Sequence, residues 1–92
     1  MDIVVCYDVT CNRRRARLMR RLREHLRRVQ KSVFEGEIAE DKILALRAAI
    51  VQEIDPNADT VRIYHFCARC VHATELFGVS VFVDRGDSDE IV

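Results

Sequence analysis

The hydrophobic pattern of this chain switches repeatedly between a strand period and a helix period, and the order of those switches admits few folds. Residues 2 to 9 open as a buried strand, because Ile3, Val4, Val5, Cys6, Tyr7 and Val9 are β-formers. Residues 13 to 27 read as a helix, with Leu18, Met19, Leu22 and Leu26 on one stripe and arginine at most other positions. Thr10 to Asn12 supply residues suited to cap its start. RRVQKSVFEGEI, residues 27 to 38, reads as two short strands broken near Lys31-Ser32. A second amphipathic helix spans residues 40 to 54, striped by Ile43, Leu44, Leu46, Ile50, Val51 and Ile54. Asp55-Pro56-Asn57 ends it, since a residue before proline is biased out of helical geometry. TVRIYHF, residues 60 to 66, is a strand, and residues 76 to 83 read as one more.

The resulting order is β-α-β-β-α-β with an extra C-terminal strand. It predicts an α+β, ferredoxin-like sandwich: an antiparallel sheet with two helices on one face. The 92 residues suit a single domain, with residues 76–92 as a strand-exchange segment and acidic tail. Strand 2–9 is apolar on both faces, with Val4 and Cys6 on one side and Ile3, Val5 and Tyr7 on the other. A sheet face that helices leave bare, yet that stays apolar, calls for a partner sheet, and a homodimer is the simplest one.

Charge is distributed unevenly along the chain. Residues 1 to 31 hold ten Lys/Arg against three Asp/Glu, and the remainder holds five against twelve. The arginines Arg13, Arg14, Arg15, Arg17, Arg20, Arg21, Arg23, Arg27 and Arg28 have one acid, Glu24, among them. Pairs four apart, such as Arg13 with Arg17, repel on a helix, and a phosphate-bearing partner relieves that repulsion. Nucleic acid is the expected ligand, with Arg13, Arg15 and Arg17 nearest the helix N-terminus and Arg28 beyond its end. A plain RNA-binding module would use exposed sheet aromatics for stacking, whereas these strands offer mainly aliphatics. No apolar run has the length of a membrane helix, and no basic region precedes the opening apolar stretch, so neither a membrane span nor a signal peptide is expected. The four cysteines, Cys6, Cys11, Cys67 and Cys70, are expected as free thiols in the cytoplasm.

Asp8 ends the first strand and has two readings. An aspartate there can cap a turn by accepting from nearby amides. It can also ligate a metal: Mg²⁺ usually takes one or two carboxylates plus water, and a two-fold axis between two copies of Asp8 would supply the second. Cys67-x-x-Cys70, flanked by His65 and His72, resembles half a zinc site with Cys6 and Cys11 as the tempting second pair. Antiparallel pairing of strand 60–66 with strand 2–9 would put Cys67 near the start of the first strand, far from Cys11. No structural zinc is therefore expected. Tyr7 and Phe34 read as core residues.

IVVCYDVT, the arginine-rich helix, VQKSVFEG and DPNADTVRIYHFCARC, in that order and spacing, resemble the small CRISPR-associated nuclease family Cas-two, from Asp2 to about Gly78. His25 and Leu26 depart from the pattern, standing where a glycine often precedes the second strand. The resemblance implies a ferredoxin-like protomer, a symmetric homodimer and a divalent cation, Mg²⁺ or another such as Mn²⁺, held near Asp8 as the catalytic carboxylate. It implies metal-dependent cleavage of RNA or double-stranded DNA, and a partner integrase, Cas-one, between whose dimers the protein bridges a DNA duplex during spacer acquisition. In that bridging role nuclease activity is dispensable, which leaves a non-catalytic DNA-binding scaffold as the alternative function. The resemblance also implies a CxxC without an obligatory metal and an aromatic, Phe34, near the metal cleft.

Overall fold

The computed structural model describes residues 1–78, ordered as β1 (Asp2–Asp8), α1 (Asn12–Leu22), β2 (Arg27–Gln30), β3 (Val33–Glu37), α2 (Glu40–Glu53), β4 (Thr60–Phe66) and α3 (Ala68–His72). The four strands form one antiparallel sheet in the order β2-β3-β1-β4, the ferredoxin-like arrangement. β1 is central. It pairs with β3 from Asp2↔Glu37 to Cys6↔Val33 and with β4 from Asp2↔Phe66 to Asp8↔Thr60.

Strand alternation divides β1 between two environments. Ile3, Val5 and Tyr7 are buried, while Val4 and Cys6 are half-buried and Asp8 is exposed. The buried set meets Phe34 of β3, Leu18, Met19 and Leu22 of α1, and Ile43, Leu46 and Ile50 of α2 in one core. The other sheet face carries Val4, Cys6, Val33, Tyr64 and Phe66, none of them buried. Tyr7 and Phe34 pack with ring centroids 6.1 Å apart, and Phe34 is fully enclosed, so it belongs to the core and not to a cleft beside Asp8. A Cβ at Gly36 would lie 3.3 Å from Leu26 Cδ2, so a larger residue there would require the Leu26 side chain to shift by a few tenths of an ångström.

Four features depart from the sequence expectation. First, α1 stops at Leu22, although the stripe continues to Leu26. The amides of Glu24 and His25 bond back to Arg21 and Leu22 in a tight turn. Arg27 then enters the sheet, where it pairs across to Glu35 at 3.3 Å. No Gly or Pro marks this stop. Sheet pairing ends the helix, and Leu26 stays buried because the turn returns it to the core. Second, Leu44 and Val51 of α2 are exposed, because the buried stripe runs through Ile43, Leu46, Ala49 and Ile50, leaving these two on its flank. Third, α1 begins after Cys11, whose side chain makes no capping hydrogen bond, so the polar cap expected from Thr10 to Asn12 is not the one used. Fourth, a short helix, α3, follows β4 where no element was expected. The strand expected over residues 76 to 83 falls mainly outside the described residues, as does the acidic tail; Leu76 to Gly78 are not in a strand.

Candidate nucleic-acid and metal-binding site

β1 delivers Asp8 to the end of the central strand, and the chain turns into α1 within three residues. Asp8 is exposed and forms no salt bridge among the described residues. Two guanidinium groups fix the loops around it. Arg15 donates to the Val9 carbonyl at 3.0 Å and to Asn12 Oδ1, which holds the β1–α1 turn. Arg14 grips Asp59 with two hydrogen bonds, Nε to Oδ2 at 2.8 Å and Nη2 to Oδ1 at 3.0 Å. Asp59 immediately precedes Thr60, the register partner of Asp8, so this pair ties the α2–β4 loop to the start of α1.

Asp59 is buried, yet its carboxyl is held down at about 2. The Arg14 hydrogen bond is the main cause, and the Asp55 amide, donating at 2.8 Å, adds to it; burial opposes both. The Cys11 thiol, at the start of α1, is also lowered, first by the Arg14 amide and then by that of Arg13. α1 has no acidic residue in its first turn, so its N-terminus presents unbalanced positive potential beside Asp8.

The arginine run divides by role. Arg17 and Arg21 both reach Glu53 at the end of α2, at 3.2 and 3.0 Å, so like-charge repulsion along α1 is partly offset within the chain. Arg13 and Arg20 are exposed and have no ion pair among the described residues. Arg28 has a different setting from the other expected nucleic-acid contacts. It lies on the inner face opposite Phe34, is only 3% exposed, and donates from Nε and Nη2 to the Lys31 carbonyl. Tyr7 Oη donates to the same carbonyl at 3.1 Å, so Arg28 staples the β2–β3 turn. Arg62, which the sequence did not single out, is exposed opposite Cys6, one diagonal step from Asp8 on the same sheet face.

Arg13, Arg15 and Arg62 thus flank the Asp8 end of the sheet, Arg17 lies one turn along α1, and Arg28 stands apart. Asp59 and Glu53 were also missed. Their signal was the opposite charge they carry at the two ends of the α2–β4 connection, where an arginine helix packed on α2 must meet them. Among the described residues no group of three or more His, Cys, Asp or Glu side chains is set to hold a metal. One chain therefore offers Asp8 as a single exposed carboxylate. This suits a hydrated Mg²⁺ shared with a second copy and does not suit a closed site built by one chain. A cleft lined by Asp2, Val4, Arg27, Glu35, Phe66 and Leu76 opens at the opposite end of β1, roughly 20 Å away along the strand. Register puts Phe66 opposite Asp2, so Cys67 also lies at that end, away from Cys11, as the antiparallel pairing required.

Residues 1–74 match the family model described as CRISPR associated protein Cas2. The CRISPR-associated endoribonuclease Cas2 of Pyrococcus furiosus is 42% identical over 92 residues, covering all of both chains. That of Thermococcus kodakarensis is 40% identical over 79 residues, covering 86% of this chain and 89% of the relative. Among solved structures, a hypothetical protein from Thermus thermophilus superimposes with a TM-score of 0.78 at 31% identity, over 88% of this chain and 94% of its own. Streptococcus pyogenes Cas2 superimposes with a TM-score of 0.74 at 28% identity, over 85% and 100%.

Proposed function

The chain belongs to the CRISPR-associated Cas2 family, and from that premise we propose that it is a metal-dependent endonuclease of spacer acquisition, cleaving phosphodiesters of RNA or double-stranded DNA as a homodimer. The observation that carries this reading is Asp8: an exposed carboxylate, without a salt bridge among the described residues, at the end of the central strand and bordered by arginines. Asp8 from each of two protomers would hold Mg²⁺ or Mn²⁺. When bound there, the ion supplies a water of lowered pKa and offsets negative charge at the reacting phosphate. Arg13 and Arg62 take the backbone phosphates on either side, and Arg17 extends that contact along α1. Arg15 acts through the backbone, keeping the turn after Asp8 in place.

The apolar open sheet face, with Tyr64 46% and Phe66 38% exposed, favours a second copy as its cover. The segment over residues 76 to 83 would complete the partner's sheet. In the cell such a dimer would work with a CRISPR integrase, Cas-one, holding a DNA duplex on its basic surface. A second reading, a non-catalytic DNA-binding scaffold, rests on the exposed Arg13 and Arg62, whose phosphate contacts need no cleavage at Asp8. One variant separates the two. Asp8→Asn keeps the shape and removes the charge, and it is expected to retain dimerisation and duplex binding while losing metal-dependent cleavage. Cleavage by Asp8→Asn at the wild-type rate would remove Asp8 from catalysis, whereas duplex binding by the wild type with no metal-dependent cleavage would favour the scaffold.

A further inference from the structure

Two thiols at the far end of the sheet have no part in that reading. Cys67 follows the last residue of β4, Cys70 lies within α3, and both are exposed with Sγ atoms 3.5 Å apart. The turn between them is already closed, since the Val71 amide donates to the Cys67 carbonyl at 3.2 Å. Residues three apart in such a turn meet the backbone spacing of a disulfide without rearrangement. Among the described residues no third ligand completes a metal set around them.

We propose that Cys67 and Cys70 form a dithiol that exchanges with small organic disulfides of the oxidised-glutathione class, Cys67 attacking first and Cys70 resolving. The two thiols are inequivalent. Cys67 is held below the usual thiol value, first by the Cys70 amide and then by its side chain, whereas Cys70 is raised because its S–H donates to Cys67 and faces its charge. The Cys67 thiolate attacks one sulfur of the small disulfide, whose S–S bond breaks. One thiolate leaves and takes up a proton, and a mixed disulfide remains on Cys67. Cys67 is then uncharged, so the influence that kept Cys70 protonated is gone. Cys70 loses its proton, attacks Cys67 Sγ and expels the second small thiol. One small disulfide is reduced to two thiols, and the protein pair is oxidised to an internal disulfide across the start of α3.

The test is independent of nuclease activity. The full chain, reduced and freed of reductant, is treated with oxidised glutathione and read by intact mass and peptide mapping. The expected wild-type product is two hydrogen atoms lighter and carries a Cys67–Cys70 bond. Cys70→Ser should instead accumulate a glutathione adduct on Cys67. Cys67→Ser should react with oxidised glutathione at position 70 roughly tenfold or more slowly than Cys70→Ser reacts at position 67, because the lowered-pKa thiol is gone. A stable adduct on Cys70 in the wild type would overturn the proposal, as would modification confined to Cys6 or Cys11. Stoichiometric zinc in the purified protein, lost on replacing Cys67 and Cys70 by serine, would also overturn it by making the pair metal ligands.

Discussion

Asp59 is the residue whose environment most directly ties stability to pH. Its folded value of about 2 lies below the ordinary 3.8, so the unfolded chain takes up a proton first as pH falls. Its contribution is complete above about pH 4 and is lost as pH drops toward 2. Denaturant titrations across that window should show wild-type stability falling, and Asp59→Asn should start lower at neutral pH and lose less through the window. Arg28 separates a structural arginine from a ligand-binding one. Its hydrogen bonds to the Lys31 carbonyl predict that Arg28→Ala costs about 1.5–3 kcal/mol in chemical denaturation, with little change in the salt dependence of duplex binding. The sequence grouped Arg28 with the exposed arginines because composition does not reveal which face of a four-residue strand turns inward. Its burial follows from register, opposite Phe34, and register is a property of the assembled sheet.

At the scale of elements, α1 and α2 were legible because their stripes recur at helical spacing, and Ile43, Leu46 and Ile50 are buried as that spacing requires. The end of α1 was not legible, because pairing of Arg27 with Glu35 terminates it in place of a local stop signal. The same helix geometry predicts a contrast within α2. Leu46→Ala empties a fully buried position and should cost about 2–5 kcal/mol, while Leu44→Ala, 67% exposed, should stay within about 0.5 kcal/mol, both read by denaturant midpoint. On α1, replacing Arg13 and Arg17 with alanine should flatten the slope of log K against log salt by about 0.9 for each duplex phosphate contact removed. An unchanged slope would assign duplex binding to another surface. Glu53 sharpens the expectation for Arg17, which already has a carboxylate partner and would have to exchange it for phosphate.

For the whole molecule, the ferredoxin-like order was readable from the succession of periods, and the strand order β2-β3-β1-β4 agrees with it. The position of Asp8 at a strand end was equally readable. The clamp that fixes its surroundings was not, because Arg14 and Asp59 are 45 residues apart and only β1–β4 pairing brings them together. The open apolar sheet face predicts a dimer mass in sedimentation at micromolar concentration, and a clean monomer there would count against the proposed metal site shared by two copies of Asp8. The central placement of β1 also bears on how the chain is made. Synthesis delivers β1 first, yet its neighbour β4 comes last of the four strands. A nascent chain can join β1 to β3 once residue 37 has emerged, but one edge of the central strand then stays bare until residues 60–66 clear the ribosome. Among the described residues, the last pairing in the sheet is therefore a long-range closure, in which β4 docks beside β1.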